Sequence, residues 1–169
     1  MHYHIRKVTP GDLEAVVFVE STCFPKEEAA DRESFQLRID TFPDSFFVAE
    51  QADGTIIGFI NGCVTNSAVL HDELYHTASL HEPMGDYQTV FGLDVMPDYR
   101  HQGIAAALMN HLIQVTKERH KKGLILTCKE HLIAYYEKFG YEHQGVSAST
   151  HGGAIWNDMR LTFKKESPS

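Results

Sequence analysis

The stretch that limits the fold most is Leu93-Asp94-Val95-Met96-Pro97-Asp98-Tyr99-Arg100-His101-Gln102-Gly103-Ile104-Ala105-Ala106-Ala107-Leu108. Apolar alternation over residues 90–95 predicts a strand, and Met96-Pro97-Asp98 ends it. Ile104, Leu108 and Leu112 then share one face of a helix that starts beside Gly103. The first amides of a helix lack intrahelical partners and lie at its positive end, so an anion there meets several aimed donors. Glycine has no Cβ to keep the anion off the backbone, and Arg100 adds a charge able to reach a phosphate. The segment therefore reads as a diphosphate cradle. It lacks both the Gly-Lys-Ser/Thr of a P-loop and the Gly-x-Gly-x-x-Gly of a dinucleotide fold, which sets those two nucleotide classes aside.

The elements around it alternate in type. Residues 3–8 read as a first strand, and Thr9-Pro10-Gly11-Asp12 opens a helix carrying Leu13, Val16, Val17 and Glu20 to residue 22. Cys23-Phe24-Pro25 interrupts, and a second helix with an acidic front is expected over residues 26–40. Apolar runs at 45–50 and 55–65 flank an Asp53-Gly54 pair, the natural signal for a hairpin. Residues 66–86 keep no period and are read as an irregular insertion with room for a short helix. The basic run Lys117-Glu118-Arg119-His120-Lys121-Lys122-Gly123 suits the negative end of the central helix better than a binding patch. A strand at 124–128, a helix at 131–139, and strands at 141–146 and 154–163 complete the order, followed by a polar tail over 164–169.

Arg100-x-x-Gly103-x-Ala105 after a Leu-x-Val-x-Pro strand resembles the coenzyme A motif of the GNAT acetyltransferase superfamily, Gln/Arg-x-x-Gly-x-Gly/Ala. The segment 126–141, ending Tyr135-Tyr136-Glu137-Lys138-Phe139-Gly140-Tyr141, resembles the second signature of that family and puts Tyr136 at its matched tyrosine. Phe24-Pro25-Lys26-Glu27-Glu28-Ala29 and His151-Gly152-Gly153-Ala154, with Trp156, Asp158 and Met159, are similar to segments of its arylalkylamine and polyamine N-acetyltransferase branch. The resemblance covers most of the chain. It implies an α/β GNAT fold in a single domain, residues 1–163, whose mixed, mostly antiparallel sheet of about seven strands is flanked by about four helices. It also implies acetyl-CoA as co-substrate. The backbone of Leu93, Asp94 and Val95 would pair with the pantetheine arm. Arg100, His101, Gln102, Gly103, Ile104, Ala105 and Ala106 would hold the diphosphate, and Phe24 and Pro25 would shape an amine pocket.

Acetyl transfer to an amine needs a neutral nitrogen beside the thioester carbonyl, a group that polarises that carbonyl, and an acid for the departing thiolate. A phenol remains protonated at neutral pH, which makes Tyr136 the expected acid and leaves Tyr135 as the core residue of the pair. The branch carries two histidines on its organising strand, but alignment on Arg100 puts Thr89 and Phe91 there, so the base is open among Asp86, His81, His76 and Asp94. Cys23, Cys63 and Cys128 stand far apart, with no C-x-x-C and no candidate base beside them, so they read as reduced packing residues and the transfer as direct. The histidines form no metal frame, and no metal is expected.

A net charge of −8 argues against a nucleic-acid surface and agrees with a cationic amine as partner. With no span-length apolar run and no signal peptide in the opening residues, a cytoplasmic protein without membrane contact is expected. A homodimer stays open. The sequence also leaves room for a catalytically silent acyl-CoA-binding module and for a protein lysine or N-terminal acetyltransferase.

Overall fold

A computed structural model describes residues 2–164; the tail expected over 164–169 lies, from residue 165 on, outside the described residues. In chain order the elements are β1 (Tyr3–Lys7), α1 (Leu13–Cys23), α2 (Arg32–Thr41), β2 (Phe46–Gln51), β3 (Ile56–Asn61), β4 (Val64–Thr65), α3 (Asp72–His76), β5 (Tyr87–Val90), β6 (Gly92–Val95), α4 (Ile104–Glu118), β7 (Gly123–Cys128), α5 (Ile133–Glu137), β8 (Glu142–Val146) and β9 (Asn157–Thr162). The expected order of elements is present, with differences at their ends and in two expected strands that each divide in two. The second helix starts only at Arg32, because Asp31 caps it by accepting from the Ser34 amide (2.9 Å), while the Pro25 carbonyl holds the Glu28 and Ala29 amides in a separate turn. The apolar run at 55–65 breaks into β3 and β4 at Gly62, where a Cβ would stand 1.9 Å from the Thr89 carbonyl oxygen. The expected helix at 131–139 is a 3-10 turn, Glu130–Leu132, running into the short α5.

The larger difference concerns the organising strand. Residues 87–95 form two strands in two sheets, β5 in the order β4-β5-β7-β9-β8 and β6 in the order β1-β2-β3-β6. β5 runs parallel to β7, with Val90 opposite Leu126, whereas β6 pairs antiparallel with β3. Two backbone bonds stitch the sheets at the crossing, Thr89 N–H to Cys63 O (2.8 Å) and Phe91 N–H to Asn61 O (2.7 Å). Beyond Phe91, β6 and β7 part.

Period-two alternation on β2, and on β3 an irregular register that brings Ile57 and Ile60 to one face, assigns the helices to opposite faces. Phe47, Ala49, Ile57 and Ile60 pack with Ile104, Leu108, Met109 and Leu112 of α4. Their neighbours Phe46, Val48 and Phe59 pack with Val16 and Val19 of α1 and with Phe35 and Ile39 of α2, Phe35 meeting Phe59 edge-on at 5.5 Å. Removing Leu108, fully buried in the first cluster, leaves a cavity of the kind that costs about 2–5 kcal/mol on Leu→Ala. The two layers fix α4 behind β6 and α1 and α2 in front of it, with the gap between β6 and β7 opening between them.

Candidate functional site

The start of α4 is built as the sequence implies. Gly103 is its N-cap in the left-handed region (φ 81), with nothing within 4 Å of where a Cβ would stand, and His101 is also left-handed (φ 63). Most side chains adopt such angles only at a cost, which glycine avoids. Beside it lies a cleft of about 220 Å³ lined by Val95, Tyr99, Arg100, His101, Gly103, Ile104, Ala105, Ala106 and Tyr135. Tyr135, expected in the core, thus faces this cleft. Gln102 does not line it, its amide reaching back to the Asp98 carbonyl at 3.5 Å. Arg100 braces the turn, its Nε donating to the Val95 carbonyl (3.2 Å).

Strand register determines what β6 offers to the gap. Met96 donates to Ile57 O (2.8 Å), and alternation by two turns the backbone groups of Asp94 and Gly92 toward β3 as well. Leu93 and Val95 therefore face away from β3, into the gap. That the Val95 carbonyl meets Arg100 and Cys23 Sγ (3.4 Å) on that side agrees with this register.

On the far side of Leu93 is a second cavity, of about 260 Å³. Five aromatic side chains line it, Phe24, Tyr75, Phe91, Tyr136 and Trp156, with Glu20, Glu28 and Arg38 among the polar groups. The loop at 24–31 and the loop at 147–156 are tied across its rim. His151 Nε2 lies 2.9 Å from Glu28 O, the Lys129 ammonium lies 2.9 Å from Glu28 Oε1, and Trp156 donates to the His151 carbonyl (2.8 Å). The His151 ring stacks on Tyr75 at 5.6 Å and 7°. Phe24 is in the wall, but Pro25 is exposed outside it and acts on the loop through its carbonyl.

The expected residues divide accordingly. Tyr136 lines the cavity, edge-on to Tyr135 (5.2 Å) and Tyr141 (6.0 Å), and burial pushes its phenol well above the ordinary value. Thr89 is fully buried, its hydroxyl donating to Cys63 O (2.9 Å), and Phe91 stacks under the Arg38 guanidinium at 4.7 Å. Of the four candidate bases, His76 is exposed on the cavity rim. His81 lies elsewhere, accepting the Val64 amide (2.9 Å), and Asp86 pairs with Lys122 (3.3 Å) at the other end of β5. Asp94 is buried directly behind Gly92, which itself lines the cavity. Burial pushes the Cys63 and Cys128 thiols up to about 11 and raises that of Cys23, so none is a thiolate at neutral pH.

Glu20, Glu28, Arg38, Tyr75, His151 and Trp156 were not anticipated as one site. They come from α1, α2, α3 and two loops, with no shared spacing. One signal was present: Glu20 and Arg38 sit on the apolar stripes of their helices, beside Val16 and Val19 and beside Phe35 and Ile39. No three His, Cys, Asp or Glu gather as a metal site among the described residues, and no helix there is long and apolar enough to cross a membrane.

The acetyltransferase (GNAT) family model matches residues 13–141. Serotonin N-acetyltransferase of Mesocricetus auratus is 26% identical over 113 residues, which cover 66% of this chain and 53% of that protein. The chain spans between 53% and 66% of the length of the curated relatives it matches. Among solved structures, the GNAT-like decarboxylase GphF in complex with isobutyryl-CoA superposes with a TM-score of 0.80 at 19% identity, covering 94% of this chain and 98% of that one. The ribosomal-protein-S18-alanine N-acetyltransferase of Escherichia coli gives 0.74 at 21% identity, with 98% and 97% covered. At these identities the likeness is one of fold.

Proposed function

The chain belongs to the acetyltransferase (GNAT) family, and on that premise we propose that it transfers the acetyl group of acetyl-CoA directly to a small primary amine, arylalkylamine- or polyamine-like. The observation that carries the reading is the pair of cavities meeting at β6, a diphosphate-sized cleft at the start of α4 and, beyond Leu93, a partly open cavity with five aromatic side chains in its wall. At about 260 Å³ the second lies just below the ~300–1,000 Å³ of sites for drug-sized ligands. Its rim is tied across by Glu28, Lys129 and His151, which suits a small molecule better than a continuous peptide.

Acetyl-CoA supplies an activated thioester; the chain supplies the rest. The amides of residues 101–106 hold the diphosphate at the positive end of α4. Leu93 and Val95 present backbone groups along the gap, where an N–H polarises the thioester oxygen as the acetyl carbon becomes tetrahedral. Phe24, Tyr75, Phe91 and Trp156 exclude water and hold the body of the amine. Tyr136, kept protonated by burial, gives its proton to the departing thiolate. With all three thiols protonated, no acyl-enzyme is required.

Incubation with acetyl-CoA and a panel of arylalkylamines, polyamines and short peptides, followed by thiol release and product mass, tests this. Acetylation of small amines is expected. Acetylation of peptides alone would replace the reading with a protein acetyltransferase, and tight acetyl-CoA binding without turnover would replace it with a sensing module.

A further inference from the structure

The reaction as drawn lacks a group to take the proton of the incoming ammonium, since Thr89 and Phe91 occupy the positions where the branch keeps histidines. A methyl built on Gly92 would stand 3.2 Å from Asp94 Oδ1, 3.6 Å from Asn61 Nδ2 and 3.8 Å from Glu20 Oε1. Three polar side chains from α1, β3 and β6 thus converge on the space glycine leaves free in the cavity wall. Neither Asp94 oxygen has a hydrogen-bond partner among the described residues, nor has Asn61 Nδ2 or Arg38 Nε. Asp94 is 1% exposed, and an ionised carboxylate there without a donor would be very costly. Glu20 differs, with Oε2 held by the Ala30 amide (2.8 Å) and the residue lining the cavity.

We propose that Glu20 and Asp94 form a carboxyl pair sharing one proton, and that Glu20 is the base that deprotonates the acceptor amine at Gly92. Ionising a second carboxyl within one buried site is disfavoured. Burial, followed by the nearby Glu20, raises Asp94 well above the ordinary carboxylate value, which assigns the proton of the pair to Asp94. Arg38, fixed by Asn61 Oδ1 (3.1 Å) and the Tyr75 carbonyl (3.1 Å), balances the one negative charge that remains. Cys23 of α1 and Tyr136 of α5 face Asp94 and Tyr75 of α3 faces Arg38, each protonated at neutral pH, while Glu28, Asp31, His76 and His151 line the same cavity as Glu20. In the step itself an N–H bond of the ammonium breaks and its proton passes to Glu20. The freed lone pair forms the N–C bond to the acetyl carbon, the C–S bond breaks, and the Tyr136 proton goes to sulfur. Glu20 releases that proton to solvent, and the second proton on nitrogen, acidic once the N–C bond has formed, passes through solvent to the Tyr136 phenolate, so that a neutral amide, a free thiol and one proton leave.

The inference rests on the acetyl-transfer reading for its kinetics but not for its proton. Glu20→Gln is expected to lower kcat/KM at pH 7 by about 100-fold or more, to leave acetyl-CoA affinity unchanged, and to recover toward wild-type rates as the pH approaches the pKa of the free amine. The same loss at every pH, or none, in an enzyme that acetylates the amine would overturn Glu20 as base. Independently of turnover, infrared difference spectra of the wild type at pH 7 should show a protonated-carboxyl C=O band that Asp94→Asn removes. Absence of that band overturns the shared proton. A wild type that shows the band but acetylates no amine removes the proposed activity, and with it Glu20 as base, while leaving the pair.

Discussion

Burial favours the neutral forms of both Tyr136 and Asp94, because desolvation penalises the phenolate and the carboxylate alike. For Tyr136 this preserves the proton that the proposed transfer would hand to the leaving thiolate. Tyr136→Phe should lower turnover by about 10²-fold or more with acetyl-CoA affinity unchanged, measured by steady-state rates alongside calorimetric binding; unchanged turnover would remove the acid. For Asp94 it has a stability cost with a definite sign. The folded value lies above the unfolded 3.8, so the fold is not penalised below 3.8 and is progressively destabilised as pH rises through that value. Asp94→Asn should therefore raise Tm at pH 7 and change it little near pH 3.5, as read by calorimetry at both. The place of Tyr136 in the cavity wall and of the 100–106 segment at the start of α4 was legible because their spacing is local. Glu20 and Arg38 were not, because a charged residue within an apolar helix stripe shows its role only once the partner elements meet it.

At the scale of elements, α4 was readable because its stripe of Ile104, Leu108 and Leu112 and its glycine start agree with each other. The left-handed Gly103 makes the start of α4 sensitive. Gly103→Val should destabilise the chain by about 1–2 kcal/mol through backbone strain and abolish acetyl-CoA binding, checked by urea unfolding and by titration. The division of residues 87–95 between β5 and β6 was not readable, since both halves are apolar and alternate without interruption. What divides them is their partners, β7 for one and β3 for the other, and partner choice is a property of the whole sheet. The late start of α2 had a local cause, the Asp31 cap, hidden behind the acidic residues at its front.

At the scale of the molecule, His81 and His111 are half-buried and lie below their ordinary value because burial disfavours the imidazolium. The unfolded chain takes up protons near pH 6.5 that the fold resists, so stability should fall as pH drops through that value. His81→Phe, which removes one such group, should flatten the slope of Tm between pH 7 and 5.5. Acetyl-CoA at about 100 times its Kd should add ~2.7 kcal/mol to unfolding. The parting of β6 from β7 also governs how that stabilisation is distributed. An extended ligand lying along Leu93 and Val95 would act as the missing rung between two half-sheets whose backbones are stitched at Phe91 and Thr89, turning a seam into a continuous plate. Slowed amide exchange on binding should then appear on both flanks of the seam, reaching β3 and β7 as well as the strand in contact.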